Sequence, residues 1–305
     1  MNRLCVRPMN RWILRINPLL IIFSLLGCRG YTVLAGKPSL TLTNQTLERD
    51  TLLRGRVVIE GILRVPSGVR LQVAPGTTVV FKGDPRKKND PGGILVEGIF
   101  EAVGKPGRRI RFVSADDRRW GEILINESPG SVIRYADFDR ASWGLHLHFT
   151  HTEVSHCSFK HGTGGIRFGS GPVIIKNNIF EDNRTAIRYI ISDPVIQGNT
   201  FARQRVAVFV RGGSSNSRIN KNNFLNSAEF HIKLGEEQTA DVKAAGNWWG
   251  TLERGRIDRL LYDKRDSENL GRVMIKPLAE KPQGFVSQIP HQALSRPGHG
   301  GEVLP

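Results

Sequence analysis

The chain has 305 residues, 44 Lys and Arg against 28 Asp and Glu, a net charge of +16, 33 Gly and only 3 Cys. So few cysteines exclude a disulfide-stapled miniprotein and a zinc-finger array. A composition of 39% hydrophobic and 24% charged residues excludes wholesale disorder.

Arg3, Arg7, Arg11 and Arg15 precede an apolar stretch from Pro18 to Gly27, with no acidic residue before it. Charge followed by a short apolar run is the order of a secretory signal, and about ten apolar residues fall well short of the roughly 20 that span a bilayer. Residues 1–27 are therefore expected to be an export signal. Leu25-Leu26-Gly27-Cys28 resembles the bacterial lipobox, which implies acylation of Cys28 and a lipid anchor in the cell envelope. Val33-Leu34-Ala35 offers an ordinary signal-peptidase site as the alternative. Loss of residues 1–27 removes four arginines and no acid, so +16 becomes +12. An exported basic chain meets acidic polysaccharide, lipopolysaccharide or anionic headgroups before nucleic acid, and no nucleic-acid partner is expected. Residues 28–46 are expected to be a linker.

From Arg56 to Phe81 three strands are broken by Pro-Ser-Gly and Ala-Pro-Gly turns. Gly93–Phe100, Ile110–Val113 and Gly121–Ile125 continue the pattern less regularly. A repeat then becomes explicit. Phe138, Phe159, Phe180, Phe201, Phe224 and Trp249 follow one another at intervals of 21, 21, 21, 23 and 25 residues. Five residues before each stands an apolar residue, from Ile133 to Ala244. Two residues before each stand Ala136, Cys157, Asn178, Asn199, Asn222 and Asn247. A second strand of alternating character follows each aromatic, as in Gly144-Leu-His-Leu-His148 and Gly165-Ile-Arg-Phe168. No helix-length amphipathic stretch intervenes, which excludes a doubly wound α/β fold. The period predicts an all-β, single-stranded parallel β-helix with coils about 4.8 Å apart. The Asn series fits its bends, because Asn tolerates left-handed backbone and its amide both donates and accepts along a stack.

The Val58–Phe81 segment, the Asn-x-Phe coils and Gly246-Asn-Trp-Trp-Gly250 together resemble bacterial exported right-handed parallel β-helix repeat proteins of the pectin-lyase-like superfamily. The likeness covers about residues 47–282. It implies a right-handed solenoid of about nine coils over 47–250. It leaves activity open, because that superfamily includes lyases, glycosidases, epimerases and members without a known reaction. Ile257, Leu260 and Leu261 have helical spacing, so 251–282 is expected to be a helical cap over the last coil. Residues 283–305, rich in Pro and Gly, are expected to be a flexible tail.

In stacked coils, residues at equal offset from the aromatic become neighbours. One residue after it come Asp139, Lys160 and Glu181, and two after it Arg140, His161, Asp182 and Arg203, alternating in sign as cross-coil ion pairs do. Eight after it come His146, Arg167, Arg188 and Phe209, with His231 nearby if the longer coil slips by one. Alternation turns this column outward, with no acid in it. Guanidinium pairs with carboxylate or sulfate and an aromatic face packs on a sugar ring, so His146, Arg167, Arg188 and Phe209 are the candidate ligand-binding residues. A lyase reading would use Arg167 or Arg188 as base, and a hydrolase would need two carboxylates about 5–9 Å apart, for which Asp137 and Asp139 are ordinary surface or turn residues. Five histidines fall between His146 and His161. His146 and His148 share a face at about 7 Å, and the others fall at different offsets, so no metal and no cofactor is assigned. Cys157, in the inward column, is expected to be buried and inert. The expected function is a non-catalytic envelope protein binding acidic polysaccharide or an envelope partner. The alternative is a polysaccharide lyase, epimerase or hydrolase on an acidic glycan. Incorporation of labelled fatty acid into the expressed protein, abolished by Cys28→Ala, is the expected outcome for the lipid anchor; equal labelling of both refutes it.

Overall fold

The computed structural model describes residues 31–35, 39–84, 86 and 91–284; the expected export signal, Cys28 and the tail beyond Gly284 lie outside the described residues. Three parallel sheets of eleven, nine and nine strands run along the described chain. The first extends from Thr32–Leu34 to Val273–Met274, the second from Leu40–Thr43 to Asn223–Leu225 and the third from Ile62–Val65 to Leu261–Tyr262. The chain visits the sheets in turn, and each circuit between the two ends lays one strand on each, giving a right-handed parallel β-solenoid of about ten turns. Among the described residues the only helix is Arg254–Arg259, and none is long and apolar enough to cross a membrane.

The coils lie in register because like residues stack. Ala102, Ile133, Val154, Ile175, Ile196 and Ile219 form an inward column on the first sheet, each fully buried. Leu145, Ile166, Ile187, Val208 and Ile232 do the same on the third. The repeating aromatics fill the second: Phe112, Phe138, Phe159, Phe180, Phe201, Phe224 and Trp249 stack with centroids 4.6–5.1 Å apart. Each buried aliphatic side chain contributes about 1.5–3 kcal/mol, and offset aromatic pairs add about 0.5–1.5 kcal/mol.

Single left-handed residues turn the corners. Tyr135, His156, Asn177, Gly198, Lys221 and Gly246, three before each aromatic, have positive φ. So do Arg140, His161, Asp182, Arg203 and Asn226, two after it. The strained residue is therefore the one before the Asn series, not the series itself. Asn178, Asn199, Asn222 and Asn247 have a different task. Each Oδ1 accepts from the main-chain N–H of its counterpart one coil earlier, at 2.8–2.9 Å. The Nδ2 of Asn178, Asn199 and Asn222 also donates 3.0 Å to the next Oδ1, and all four donate to a carbonyl of the preceding coil. The amides thus satisfy buried backbone groups that the bend removes from the sheet. Cys157 ends this row, with its backbone N–H on Asn178 and its thiol on the Ser155 carbonyl at 3.2 Å. Burial pushes that thiol up to about 12.

The ends differ from the sequence expectation. Strands Thr32–Leu34 and Leu40–Thr43 pair with the following coil, so coiling begins within the segment expected as a linker. These strands hold no aromatic and carry no repeat signature. Residues 251–282 hold the short helix, which buries Ile257 and leaves Leu260 half-buried, but they also add Leu261–Tyr262 to the third sheet and Val273–Met274 to the first.

Asn199→Ala leaves the Asn178 N–H and amide and the Ile175 carbonyl without their partner, at about 1–3 kcal/mol for each orphaned group. The expected result is a loss of about 3–5 kcal/mol in denaturant unfolding, read as a lower midpoint. An unchanged midpoint contradicts the role given to the amide row.

Candidate functional site

The outward face of the third sheet carries the predicted column in consecutive coils: His146 opposite Arg167, Arg167 opposite Arg188, and Arg188 opposite Phe209. All four side chains are half-buried. The column continues through Lys233 to Tyr262, so its five strand steps cover about 24 Å.

Lys233, not His231, occupies the fifth place. The step from Phe209 to Lys233 is 24 residues against 21 in the earlier coils, and one of the three extra residues falls after Phe224, so the offset slips from eight to nine and His231 turns inward. His231 falls in line with Gly144, Gly165, Ala186 and Ala207. Those positions are small because the aromatic stack presses on them: a Cβ on Gly165 would stand 2.7 Å from the Phe180 ring. His231 lies against Phe224 and Trp249, with Nδ1 2.8 Å from the Ser227 hydroxyl.

An acid does relieve the column, contrary to expectation. Strand Trp120–Asn126 shifts register between Glu122 and Ile123, which sets Glu122 opposite Trp143. From there its carboxylate reaches His146 Nδ1 at 3.0 Å and accepts from Arg167 Nη2 at 2.7 and 3.0 Å. Burial works against the charged Glu122, but His146 and Arg167 outweigh it and hold the carboxyl below its ordinary value. His148 is pushed down by burial and by the neighbouring His146 and Arg167. The constant offset that exposes the basic column has no way to reveal Glu122, because the register shift is local to one strand.

Aromatic side chains lie among the cations. Arg167 stands 5.4 Å from the Trp143 ring centre and Arg188 5.8 Å from Phe209. Lys233 lies 5.2–5.7 Å from Phe209, Phe230 and Tyr262. Glycines let two of these rings lie down on the sheet. A Cβ on Gly164 would meet Trp143 at 2.2 Å, and one on Gly235 would meet Phe209 at 2.5 Å. Arg188 is a charge of the face with no ion pair: among the described residues no carboxylate lies within 4.0 Å of it, and burial followed by Arg211 and Arg167 lowers its pKa.

The other singled-out residues are structural. Arg203 is paired to Asp182 at 2.8 Å and to Glu181, Lys160 to Glu181 at 2.7 Å, and His161 to Asp139 at 2.6 Å. Asp137 is held by Arg109 and Ser158. His156 stacks on Tyr135 at another corner, so only His146 and His148 of the five histidines meet. Among the described residues no group of three or more His, Cys, Asp and Glu side chains gathers to hold a metal ion.

Residues 143–248, which contain the regular coils and most of this face, match the family described as "Right handed beta helix region". No curated protein and no solved structure matches the chain.

Burial pushes the His231 pKa down to about 3, below the roughly 6.5 of an unfolded histidine. The ring is neutral in the folded chain, so its contribution is intact above about pH 6.5 and is lost as pH falls toward 3. His231→Leu is expected to flatten the decline of stability between those limits, by up to about 1.4 kcal/mol per pH unit, in denaturant unfolding at stepped pH. Parallel declines in both proteins would show that His231 is not the titrating group.

Proposed function

Since the described chain folds as a right-handed parallel β-solenoid and residues 143–248 match a right-handed β-helix family, we propose that it is a non-catalytic envelope protein that holds an acidic polysaccharide against the outward face of its third sheet. Arg188 carries this reading. It is a partly desolvated guanidinium repelled by Arg211 and Arg167, with an aromatic ring beside it, no carboxylate within 4.0 Å among the described residues and only the more distant Glu236 to offset the repulsion. An incoming carboxylate or sulfate relieves that repulsion and takes the guanidinium in a two-pronged contact. The face suits a polymer more than a small acid, because the column runs through successive coils and the rings of Trp143, Phe209 and Tyr262 offer apolar surface at separate points along it. A net charge of +12 beyond residue 27 adds long-range attraction. The lipobox-like Leu25–Cys28 supplies the address: an envelope membrane, reached through a lipid on Cys28.

Retention of the purified protein on immobilised alginate or polygalacturonate is the test. Retention that falls with salt is expected, weakened at least several-fold in Arg188→Ala/Lys233→Ala and less in Phe209→Ala. Equal retention of wild type and the double variant removes the face from the reading. Appearance of unsaturated uronate in the ultraviolet during incubation with the polymer makes the protein a lyase and overturns the non-catalytic part.

A further inference from the structure

His146 and His148 stand two residues apart on strand Ala141–His148 and project from one face. Their rings lean together, with centroids 4.4 Å apart and the two Nε2 atoms facing at 2.5 Å. Behind His146, Glu122 Oε1 accepts from Nδ1 at 3.0 Å, and Arg167 holds both Glu122 oxygens. A proton fixed on Nδ1 leaves the Nε2 lone pair of His146 directed at His148. The geometry points to a binding site for one first-row divalent transition-metal ion, with His146 and His148 as ligands through Nε2 and Glu122 as the positioning residue.

Metal–imidazole bonds of about 2.0–2.1 Å at tetrahedral or square angles need the two nitrogens about 3 Å apart. The rings have only to open by roughly half an ångström and give up the hydrogen they share. A carboxylate behind a ligating imidazole is the arrangement that fixes tautomer and ring angle in metal sites. Two imidazoles with no gathered carboxylates favour copper, nickel or zinc over magnesium or calcium, with Cu(II) the tightest. Among the described residues no third His, Cys, Asp or Glu joins the pair, which leaves positions open toward solvent. This revises the sequence assignment of no metal: the strand repeat of about 7 Å separates the backbone positions, whereas the rings converge. Resting on the polysaccharide reading, a sugar carboxylate completes the shell.

The purified, untagged protein, stripped with chelator, is titrated with Cu(II) and separately with Zn(II), without polymer. One ion per chain by calorimetry is expected, together with a Cu(II) electron paramagnetic resonance spectrum showing two equatorial nitrogens. His146→Ala and His148→Ala each weaken Cu(II) binding at least tenfold and remove one nitrogen from the spectrum. Glu122→Gln weakens binding about tenfold and keeps both nitrogens. His161→Asn, at a different corner, changes nothing. Thermal unfolding near that of wild type shows that each variant is folded. A wild-type spectrum without two equatorial nitrogens, or equal affinity in wild type and His148→Ala, overturns the proposal. Retention on polyuronate measured in chelator tests the basic face by itself, so failure of either claim is read separately.

Discussion

Everything else in this molecule depends on coils stacking in register, and the row of amides from Asn178 to Asn247 is the interaction that enforces it. Aliphatic and aromatic columns reward burial but tolerate small displacements, because dispersion is not directional. A buried amide that must reach a main-chain N–H, a carbonyl and the next amide accepts only one alignment. A similar device recurs at the next corner, where Asn183 Oδ1 takes the Gly162 N–H and Gln204 takes that of Asn183. At the third corner Ser214 and Gln238 serve the same purpose. Three rows of side-chain acceptors thus run beside three sheets, each where the backbone turns away from its own ladder.

The fold was legible because constraint repeats. A column that faces the interior admits few residue types, so Phe138 to Phe224 and Ile133 to Ile219 announce themselves at nearly constant intervals of 21 and, once, 23 residues. Corner residues were less visible: left-handed backbone is occupied by Tyr135, His156 and Lys221, at about 1–2 kcal/mol of strain apiece, as well as by Gly198, which adopts it freely. The second and third acceptor rows mix Asn with Gln and Ser with Gln, so no single letter marks them. The first strands, Thr32–Leu34 and Leu40–Thr43, lack an aromatic and pass for a connector.

The site was half legible for the same reason. His146, Arg167, Arg188 and Phe209 share an offset, and regular coils carried that offset into space. Lys233 follows a coil with three extra residues, and Glu122 sits at a register shift; each is a local departure from the repeat that only coordinates reveal. These departures alter the electrostatics. Glu122 neutralises the Arg167 end of the column, while Arg188 and Lys233 stay among aromatic rings, so the face is graded along the solenoid axis.

The glycines beneath Trp143 and Phe209 carry a further consequence. With rings reclining on Gly164 and Gly235, the sheet surface stays shallow, and nothing but the count of coils limits its reach. Duplicating one 21-residue unit would lengthen the platform by a single strand width while reusing every interior contact. Such a chain can be tailored to longer or shorter partners as a ruler is cut, without redesign of what lies inside.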